Sequence, residues 1–307
     1  MAMPVTLTVW ATDQATAESA CRKAFAKIDQ LVKVYSDYDR EAEVYRLNRL
    51  QVGESMEVSA ELASMIRFCQ QLHHRSNHVF DPTAGELIEL WRVARRTVEL
   101  PTDDAIRIAI QHSGFDSLEL QTVSNDNSAT PQNNDWNPKF PTFDGGLADI
   151  NPAQPVLITR RSNSKLDFGS IAKGRIGDVV IALLKHEGVP IACYEAGGDI
   201  VCGAAPPNEK GWLVELPDQT TTELANAAIA ISGDTEQAVV IEEIRYSHVI
   251  DIRTGQGVAT RRMAYVIAPQ GVISDPLATI GCIVEPEEFT KTLQAFKGVT
   301  GDSFVVD

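Results

Sequence analysis

Residues 167–202 read DFGSIAKGRIGDVVIALLKHEGVPIACYEAGGDIVC and contain a change from helical to extended patterning. From Lys173 to Glu187 the apolar side chains recur at helical spacing, and Gly188 is typical of a helix end. Residues 189–268 then predict mainly short strands separated by Gly, Pro and Asp turns. Helices and predominantly antiparallel strands in separate blocks indicate an α+β fold.

The remaining sequence extends this pattern in both directions. Residues 5–10 alternate like a half-buried strand, and Asp13 is the predicted cap of the helix that follows. After a polar stretch at 36–48, Ser59 is the predicted cap of a second helix. Further helices are predicted at 101–114, 275–284 and 286–296, and a further strand at 156–159.

Residues 121–165 differ in composition from the rest of the chain. Asn, Asp, Pro, Ser and Thr dominate and hydrophobic periodicity disappears, which indicates a surface insertion. We expect Trp136, Phe140 and Phe143 to attach it to the body of the protein. We treat 1–307 as a single domain with this insertion; the alternative is a boundary between two intimately packed halves.

Composition excludes several classes of protein. Lys plus Arg total 27 and Asp plus Glu total 42, a net charge of −15, so we expect no nucleic-acid partner. The longest apolar runs are too short to span a membrane. The sequence from Met1 to Pro4 leads directly into a strand without an export signal. That leaves a cytoplasmic protein or one whose signal was removed before position 1.

The five cysteines give no disulfide or zinc pattern. Their number is odd and none forms C-x-x-C. Cys193 and Cys202 have a spacing that allows them to meet across a hairpin, but we expect them to be buried thiols.

Two segments are candidates for phosphate and metal binding. Residues 167–174 enter a helix, whose N-terminal amides attract phosphate; the alternative is a tight turn that needs glycine. Asp275 and Thr279 are four residues apart, so they share a helical face and offer oxygen ligands suited to Mg²⁺. The simpler interpretation is that Pro276 begins the helix and Asp275 caps it.

Histidines provide the other candidates. His248 lies where a strand becomes a loop, and it is either a proton acceptor or a hydrogen-bonded structural residue. His73, His74 and His78 are spaced for a metal site, but a helix C-terminus explains them better. Residues 232–236 predict a turn between strands.

These segments resemble the motifs of a known protein family, both in their residues and in their order along the chain. The matching segments are Met1, Ser36-Asp37-Tyr38-Asp39 through Leu47-Asn48, Phe80-Asp81-Pro82-Thr83-Ala84-Gly85, 167–174, Gly197-Gly198-Asp199-Ile200, 232–236, 246–255 and 275–279. Over nearly the whole chain they resemble the ApbE-like family of FAD:protein FMN transferases. The sequence departs from that family at Ser170, Glu195, Ile252, Gly257 and Leu90-Trp91-Arg92-Val93.

The resemblance implies a transferase that splits FAD and joins FMN, through its phosphate, to a threonine or serine of an acceptor flavoprotein, releasing AMP. It implies Mg²⁺ held by Asp275, Thr279 and the main-chain carbonyl of Ala172, with His248 as the base. It implies FAD contacts from Met1, Tyr38, Phe80, Asp81, Gly169, Arg175 and Val249. We expect Lys173 and Arg175 to offset the negative charge of the pyrophosphate.

Two alternatives keep the same pocket: an FAD pyrophosphatase that gives FMN and AMP, and a carrier that holds FAD intact. The family also implies work on the outer, periplasmic side of a membrane in the cell envelope. We expect any membrane association to require a segment absent from this chain.

Overall fold

The structure is a computed structural model that describes residues 3–122, 139–140, 155–233 and 238–305. The elements of that part of the chain are, in order, β1 (Val5–Trp10), α1 (Gln14–Tyr35), α2 (Glu43–Leu47), β2 (Ser55–Val58), α3 (Ala60–Arg75), α4 (Gly85–Thr97), α5 (Asp103–His112), a 3-10 turn (Phe115–Ser117), β3 (Leu118–Thr122), β4 (Val156–Arg160), α6 (Ala172–His186), β5 (Ile191–Ala196), β6 (Asp199–Cys202), β7 (Trp212–Glu215), β8 (Thr221–Leu224), β9 (Ala227–Ser232), β10 (Val239–Ile241), β11 (Ile244–Tyr246), β12 (Ile250–Asp251), β13 (Gln256–Gly257), β14 (Arg262–Ala268), α7 (Gly271–Ile283), α8 (Pro286–Gln294) and β15 (Thr300–Val305).

A six-stranded sheet forms the centre of the molecule. Its strand order is β1-β5-β6-β9-β14-β15, and every neighbouring pair is antiparallel. Side chains alternate between the two faces of a strand. One face packs under α6 and α7 in the main core, and the other forms a smaller apolar cluster with the β7–β8 hairpin. The expected α+β class is confirmed.

A smaller antiparallel sheet has the order β2-β4-β3. The chain between β3 and β4 contains most of the predicted insertion, so the insertion leaves and re-enters the same sheet. Phe140 is buried and its ring centroid lies 5.9 Å from that of Phe68, as expected of a residue that attaches the insertion. Residues 123–138 and 141–154, including Trp136 and Phe143, lie outside the described residues.

Local capping signals are confirmed at two helices. The Asp13 carboxylate accepts a hydrogen bond from the Thr16 amide at 2.9 Å, and the Ser59 hydroxyl accepts one from the Leu62 amide at 3.2 Å. Two further helices, α2 and α4, lie where the sequence pattern predicts none. α2 lies within the polar stretch 36–48.

The predicted start of a helix at Pro276, with Asp275 as its cap, is wrong. α7 begins at Gly271, and Pro276 lies inside it. The cap comes from another helix: the carboxylate of Asp178 in α6 accepts hydrogen bonds from the amides of Gly271 at 2.6 Å and Val272 at 2.9 Å. Because this cap is distant in sequence, the local proline signal misplaced the helix start.

Across the described ranges, none of the helices combines the length and apolar character that crossing a bilayer requires.

Candidate functional site

The site is built where the first turns of α6 and α7 cross. A Cβ atom on Gly174 would lie 2.1 Å from the carbonyl oxygen of Gly271, and one on Gly271 would lie 2.5 Å from that of Gly174. Side chains larger than hydrogen therefore cannot occupy either position without moving the backbone. This close approach brings Lys173, at the start of α6, against Asp275 in α7.

Lys173, Asp199 and Asp275 form a buried charged cluster. Lys173 Nζ lies 3.0 Å from Asp199 Oδ2 and 3.3 Å from each carboxylate oxygen of Asp275. The Gly174 amide donates to Asp275 Oδ2 at 3.2 Å. Both carboxylates are less than a twentieth exposed. One ammonium group therefore forms ion pairs with two carboxylates.

A glycine turn supplies Asp199 to this cluster. Gly197 and Gly198 join β5 to β6 with φ values of 54° and 88°, in the left-handed region that glycine adopts without steric cost. Asp199 is the first residue of β6, and its side chain shares a sheet face with Val201, which packs under α6.

The environment of the cluster shifts its pKa values. Burial raises the pKa of Asp275, and the Lys173 ammonium opposes this. Burial, followed by repulsion from Asp275, raises the pKa of Asp199 to about 8. Burial lowers the pKa of Lys173, but attraction to Asp275 and Asp199 outweighs it, so that pKa lies above its ordinary value. The fully ionised cluster has an excess of negative charge.

These residues fit a hard cation such as Mg²⁺. The carboxylate of Asp275 and the hydroxyl of Thr279 lie one turn apart on α7, and Thr279 Oγ1 donates to the Asp275 carbonyl at 3.4 Å. Ala172 is the first residue of α6, directly before Lys173. In the part of the chain that is described, no group of three or more His, Cys, Asp or Glu residues is arranged for metal. The oxygen donors favour a cation that keeps waters or phosphate as its other ligands.

Gly169 adjoins the charged cluster. Lys173 Nζ donates to the Gly169 carbonyl at 2.9 Å, and the Gly169 amide donates to Asp167 Oδ1 at 2.8 Å. Gly169 itself is exposed. The predicted phosphate segment and the predicted metal ligand Asp275 are therefore joined through one lysine.

Tyr38 lies on a polar cleft of ≈590 Å³. The guanidinium of Arg92 stacks 4.9 Å from the Tyr38 ring centroid. Arg92 also donates to Asp37 at 2.9 Å and to Asp167 at 2.6 Å. A single side chain from α4 thus connects the segment that carries Tyr38 to the one that carries Gly169.

Phe80 and Asp81 are held by neighbouring polar groups. His73 Nδ1 donates to the Phe80 carbonyl at 2.8 Å, and Thr83 donates to Asp81 Oδ1 through its amide and hydroxyl at 2.8 and 2.6 Å. Burial raises the pKa of Asp81, which Thr83 and His73 oppose. His73 and His74 lie in the last turn of α3, as expected for the helix C-terminus, and His78 follows it.

Arg175 lies inside the protein. Its guanidinium donates to Glu61 at 2.8 and 3.0 Å and lies 3.9 Å from the Phe140 ring centroid. The Tyr35 hydroxyl also donates to Glu61. The predicted contact of Arg175 with FAD remains a prediction, while the structure shows a buried ion pair that joins three parts of the chain.

His248 and Val249 follow β11. The buried Ser247 hydroxyl accepts from the Val249 amide at 3.0 Å, and the Ser247 amide donates to the Val258 carbonyl at 2.8 Å. Val249 is buried and His248 is partly exposed. His248 lies between strands, as predicted. Met1 and residues 234–236 lie outside the described residues.

Asp199 is not among the candidate site residues that the sequence indicates. The available signal was its position after two consecutive glycines, which predicts a tight turn that begins a strand. Its partner Lys173 was given only a general electrostatic role. Their proximity depends on the pairing of β5 with β6 and on the packing of α6 against the sheet.

Comparisons with known proteins agree on one family. A model of the ApbE family matches residues 1–301. The chain is 23% identical to an FAD:protein FMN transferase of Chlamydia pneumoniae, over 88% of this chain and 77% of that protein. It is 25% identical to an FAD:protein FMN transferase of Vibrio cholerae, over 85% and 73%.

Two solved structures share the fold. The apo flavinyl transferase ApbE of Pseudomonas stutzeri aligns with a TM-score of 0.75 and 22% identity, covering 100% of this chain and 92% of that one. The ApbE protein of Thermotoga maritima aligns with a TM-score of 0.75 and 22% identity, covering 97% and 89%.

Proposed function

Because the chain belongs to the ApbE family, we propose that it is a magnesium-dependent FAD:protein FMN transferase. It cleaves FAD, attaches FMN through its phosphate to a threonine or serine of an acceptor flavoprotein, and releases AMP. The observation that carries this proposal is the buried cluster of Lys173, Asp199 and Asp275 at the crossing of α6 and α7.

The proposed reaction breaks the phosphoanhydride bond between FMN and AMP and forms a phosphate ester between FMN and the acceptor. The acceptor hydroxyl oxygen bonds to the phosphorus on the FMN side of the pyrophosphate, and the bond from that phosphorus to the AMP oxygen breaks. Such a transfer depends mainly on positioning and on neutralising charge. Mg²⁺, when bound by Asp275, Thr279 and the Ala172 carbonyl, offsets the charge of the pyrophosphate and of the leaving AMP.

Lys173 has a positioning role in this proposal. Its ammonium contacts both carboxylates and the carbonyl of Gly169, so it holds the metal ligand Asp275 and the phosphate-binding segment in a fixed relation. His248 takes the proton of the acceptor hydroxyl, because an imidazole accepts a proton near neutral pH. Tyr38, Phe80, Asp81, Gly169, Arg175, Val249 and Met1 are the proposed contacts or supports for FAD.

Two alternative functions would leave FAD in different final states. An FAD pyrophosphatase uses water in place of the acceptor hydroxyl and yields free FMN. A carrier retains FAD unchanged. A specific base and a charged metal site favour group transfer over storage, because binding alone needs neither.

The test incubates the purified chain with FAD, Mg²⁺ and a panel of candidate acceptor flavoprotein domains, and follows the intact mass of each acceptor. We expect one acceptor to gain the mass of a phosphate-linked FMN, and expect EDTA to prevent the gain. Asp275→Asn and His248→Ala should each lower the rate by at least about a hundredfold.

Two substitutions at exposed positions make the same side-chain changes and serve as matched controls. Asp218→Asn and His186→Ala lie on the surface and should keep the wild-type rate. FAD that stays bound and intact across the panel would contradict the proposal in favour of a carrier. Free FMN with no acceptor gain would favour the hydrolase.

A further inference from the structure

Cys193 and Cys202 face each other across two neighbouring strands. They are direct partners in the antiparallel register of β5 and β6, and their Sγ atoms lie 3.7 Å apart. Both are free thiols in this structure. The expectation that they are thiols is confirmed, and these thiols also meet across the hairpin, as their spacing allows.

The backbone at this position suits a cross-strand disulfide. The Gly203 amide donates to the Ala192 carbonyl at 2.8 Å, which makes that neighbouring pair a hydrogen-bonded one. Pairs alternate along an antiparallel ladder, so Cys193 and Cys202 form a non-hydrogen-bonded pair, whose Cα atoms are typically about 4.5 Å apart. Disulfides span Cα separations of about 4.4–6.8 Å. The sulfur atoms can therefore bond after side-chain rotation.

The two thiols have different surroundings. They lie on the sheet face that packs against the β7–β8 hairpin, where Cys202 is 2% exposed and Cys193 is only partly buried. The hydrogen bond from Cys202 lowers the pKa of Cys193, while that bond and burial raise the pKa of Cys202. Because the thiolate is the nucleophile in exchange, Cys193 is the expected first point of attack.

We propose that Cys193 and Cys202 form a thiol–disulfide site that a low-molecular-weight disulfide converts to an intramolecular disulfide. The Cys193 thiolate attacks one sulfur of that disulfide, forms a mixed disulfide and releases one thiol. The Cys202 thiolate then attacks the Cys193 sulfur and releases the second thiol. Two protein thiols are oxidised, one external disulfide is reduced to two thiols, and the two protons pass to solvent or to those products.

The bond would restrain the hairpin that supplies Asp199. The link joins the strands three residues beyond Asp199 along β6, and the intervening turn contains Gly197 and Gly198. The site is nevertheless on the opposite sheet face from the Lys173 cluster. Its chemistry can therefore be measured without any assumption about the activity of the protein.

The test equilibrates the folded full chain with excess oxidised glutathione, removes the reagent, denatures the protein and alkylates the remaining thiols. Mass spectrometry should show a loss of about 2 Da before alkylation, for two hydrogens. A peptide link should join Cys193 to Cys202, and the alkylated residues should be Cys21, Cys69 and Cys282. Dithiothreitol should reverse the change.

Three variants sharpen the result. Cys193→Ser and Cys202→Ser should each abolish the 2 Da loss, and Cys202→Ser should retain glutathione on Cys193 as a mixed disulfide. Cys21→Ser, at another partly buried cysteine, should behave as the wild type. Complete alkylation of Cys193 and Cys202 in the treated wild type would overturn the proposal. So would a link between other cysteines or a glutathione adduct that persists on wild-type Cys193.

Discussion

Lys173 places one ammonium group between two buried carboxylates and thereby stabilises both the fold and the candidate site. Lys173→Gln keeps a polar side chain of similar length but leaves Asp199 and Asp275 to repel each other. Removing one partner of a buried ion pair costs about 3 kcal/mol of unfolding free energy. Urea unfolding monitored at about pH 9, above the pKa of about 8 that burial and Asp275 give Asp199, should show this loss.

A second variant separates charge repulsion from lost packing. Adding Asp199→Asn to Lys173→Gln removes one of the two opposing charges and should recover part of the lost stability. If the double variant is no more stable than Lys173→Gln alone, charge repulsion does not explain the role of this lysine.

Asp178 predicts a pH dependence of stability. Burial raises the pKa of its carboxyl to about 6, and the amides of Val272 and Gly271 only partly oppose this. The unfolded value is 3.8, so the folded state binds the additional proton between those values. Stability from this group is fully present below the unfolded pKa and is lost as the pH rises through about 6.

Asp178→Asn isolates that contribution. Between about pH 4 and pH 6, the unfolding free energy of the wild type should fall relative to this variant by on the order of 1 kcal/mol per pH unit. Urea unfolding at several pH values measures the difference. Parallel pH profiles for the two proteins would refute the raised pKa.

The crossing of α6 and α7 depends on two glycines in contact. Gly174→Ala introduces a methyl group where a Cβ would lie 2.1 Å from the Gly271 carbonyl oxygen, so the helices must separate. We expect a loss of about 3 kcal/mol in unfolding free energy. Lys185→Ala changes an exposed position of the same helix and should alter stability by less than about 0.5 kcal/mol. Equal thermal midpoints for the two variants would contradict the tight crossing.

Helix α4 connects two segments predicted to contact FAD. Arg92→Gln removes the bonds to Asp37 and Asp167, so Tyr38 and Gly169 lose their common support. If FAD binds there, its KM should rise about tenfold, equivalent to about 1.4 kcal/mol, with a smaller change in kcat. Steady-state kinetics measures the KM and kcat of both proteins.

Milder and matched variants accompany that experiment. Asp37→Asn weakens the contact of Arg92 with residue 37 but keeps its contact with Asp167. It should therefore raise the KM for FAD by less than Arg92→Gln does. Arg107→Gln, at an exposed ion pair on α5, should leave it unchanged. An unaltered KM in both Arg92→Gln and Asp37→Asn would show that the contacts of Arg92 with Asp37 and Asp167 do not support FAD binding.

Elements with local signals were predictable from the sequence. The periodic apolar residues of α6 and the left-handed Gly188, with φ of 82°, define that helix and its end within a few residues. The start of α7 was not predictable, because its cap is Asp178, far away in the sequence. α4 was also missed.

The candidate site likewise contains residues that local sequence indicates and residues that only tertiary packing brings there. Asp275 and Thr279 share one face of α7, and helical spacing alone indicates this. Asp199 reaches them through sheet pairing and helix packing, which no local pattern encodes. The contact of Arg175 with FAD stays a prediction that only the family resemblance supplies, and the buried pair with Glu61 is visible only in the structure.

The whole molecule combines an acidic surface with a site that must accept an anion. A net charge of −15 disfavours the approach of a pyrophosphate unless cations are held locally. Lys173 is already engaged by two carboxylates, so the proposed Mg²⁺ supplies the missing positive charge. The six-stranded sheet, α6 and α7 together provide a rigid base for that arrangement.

In the proposed function, FAD cleavage and acceptor labelling are one reaction. The most direct measurement quantifies released AMP and the intact mass of the acceptor in the same samples over time, with FAD and Mg²⁺ present. We predict AMP and acceptor-bound FMN in equal amounts at every time, and neither product in the absence of acceptor. AMP formed with free FMN while the acceptor mass stays unchanged would contradict it.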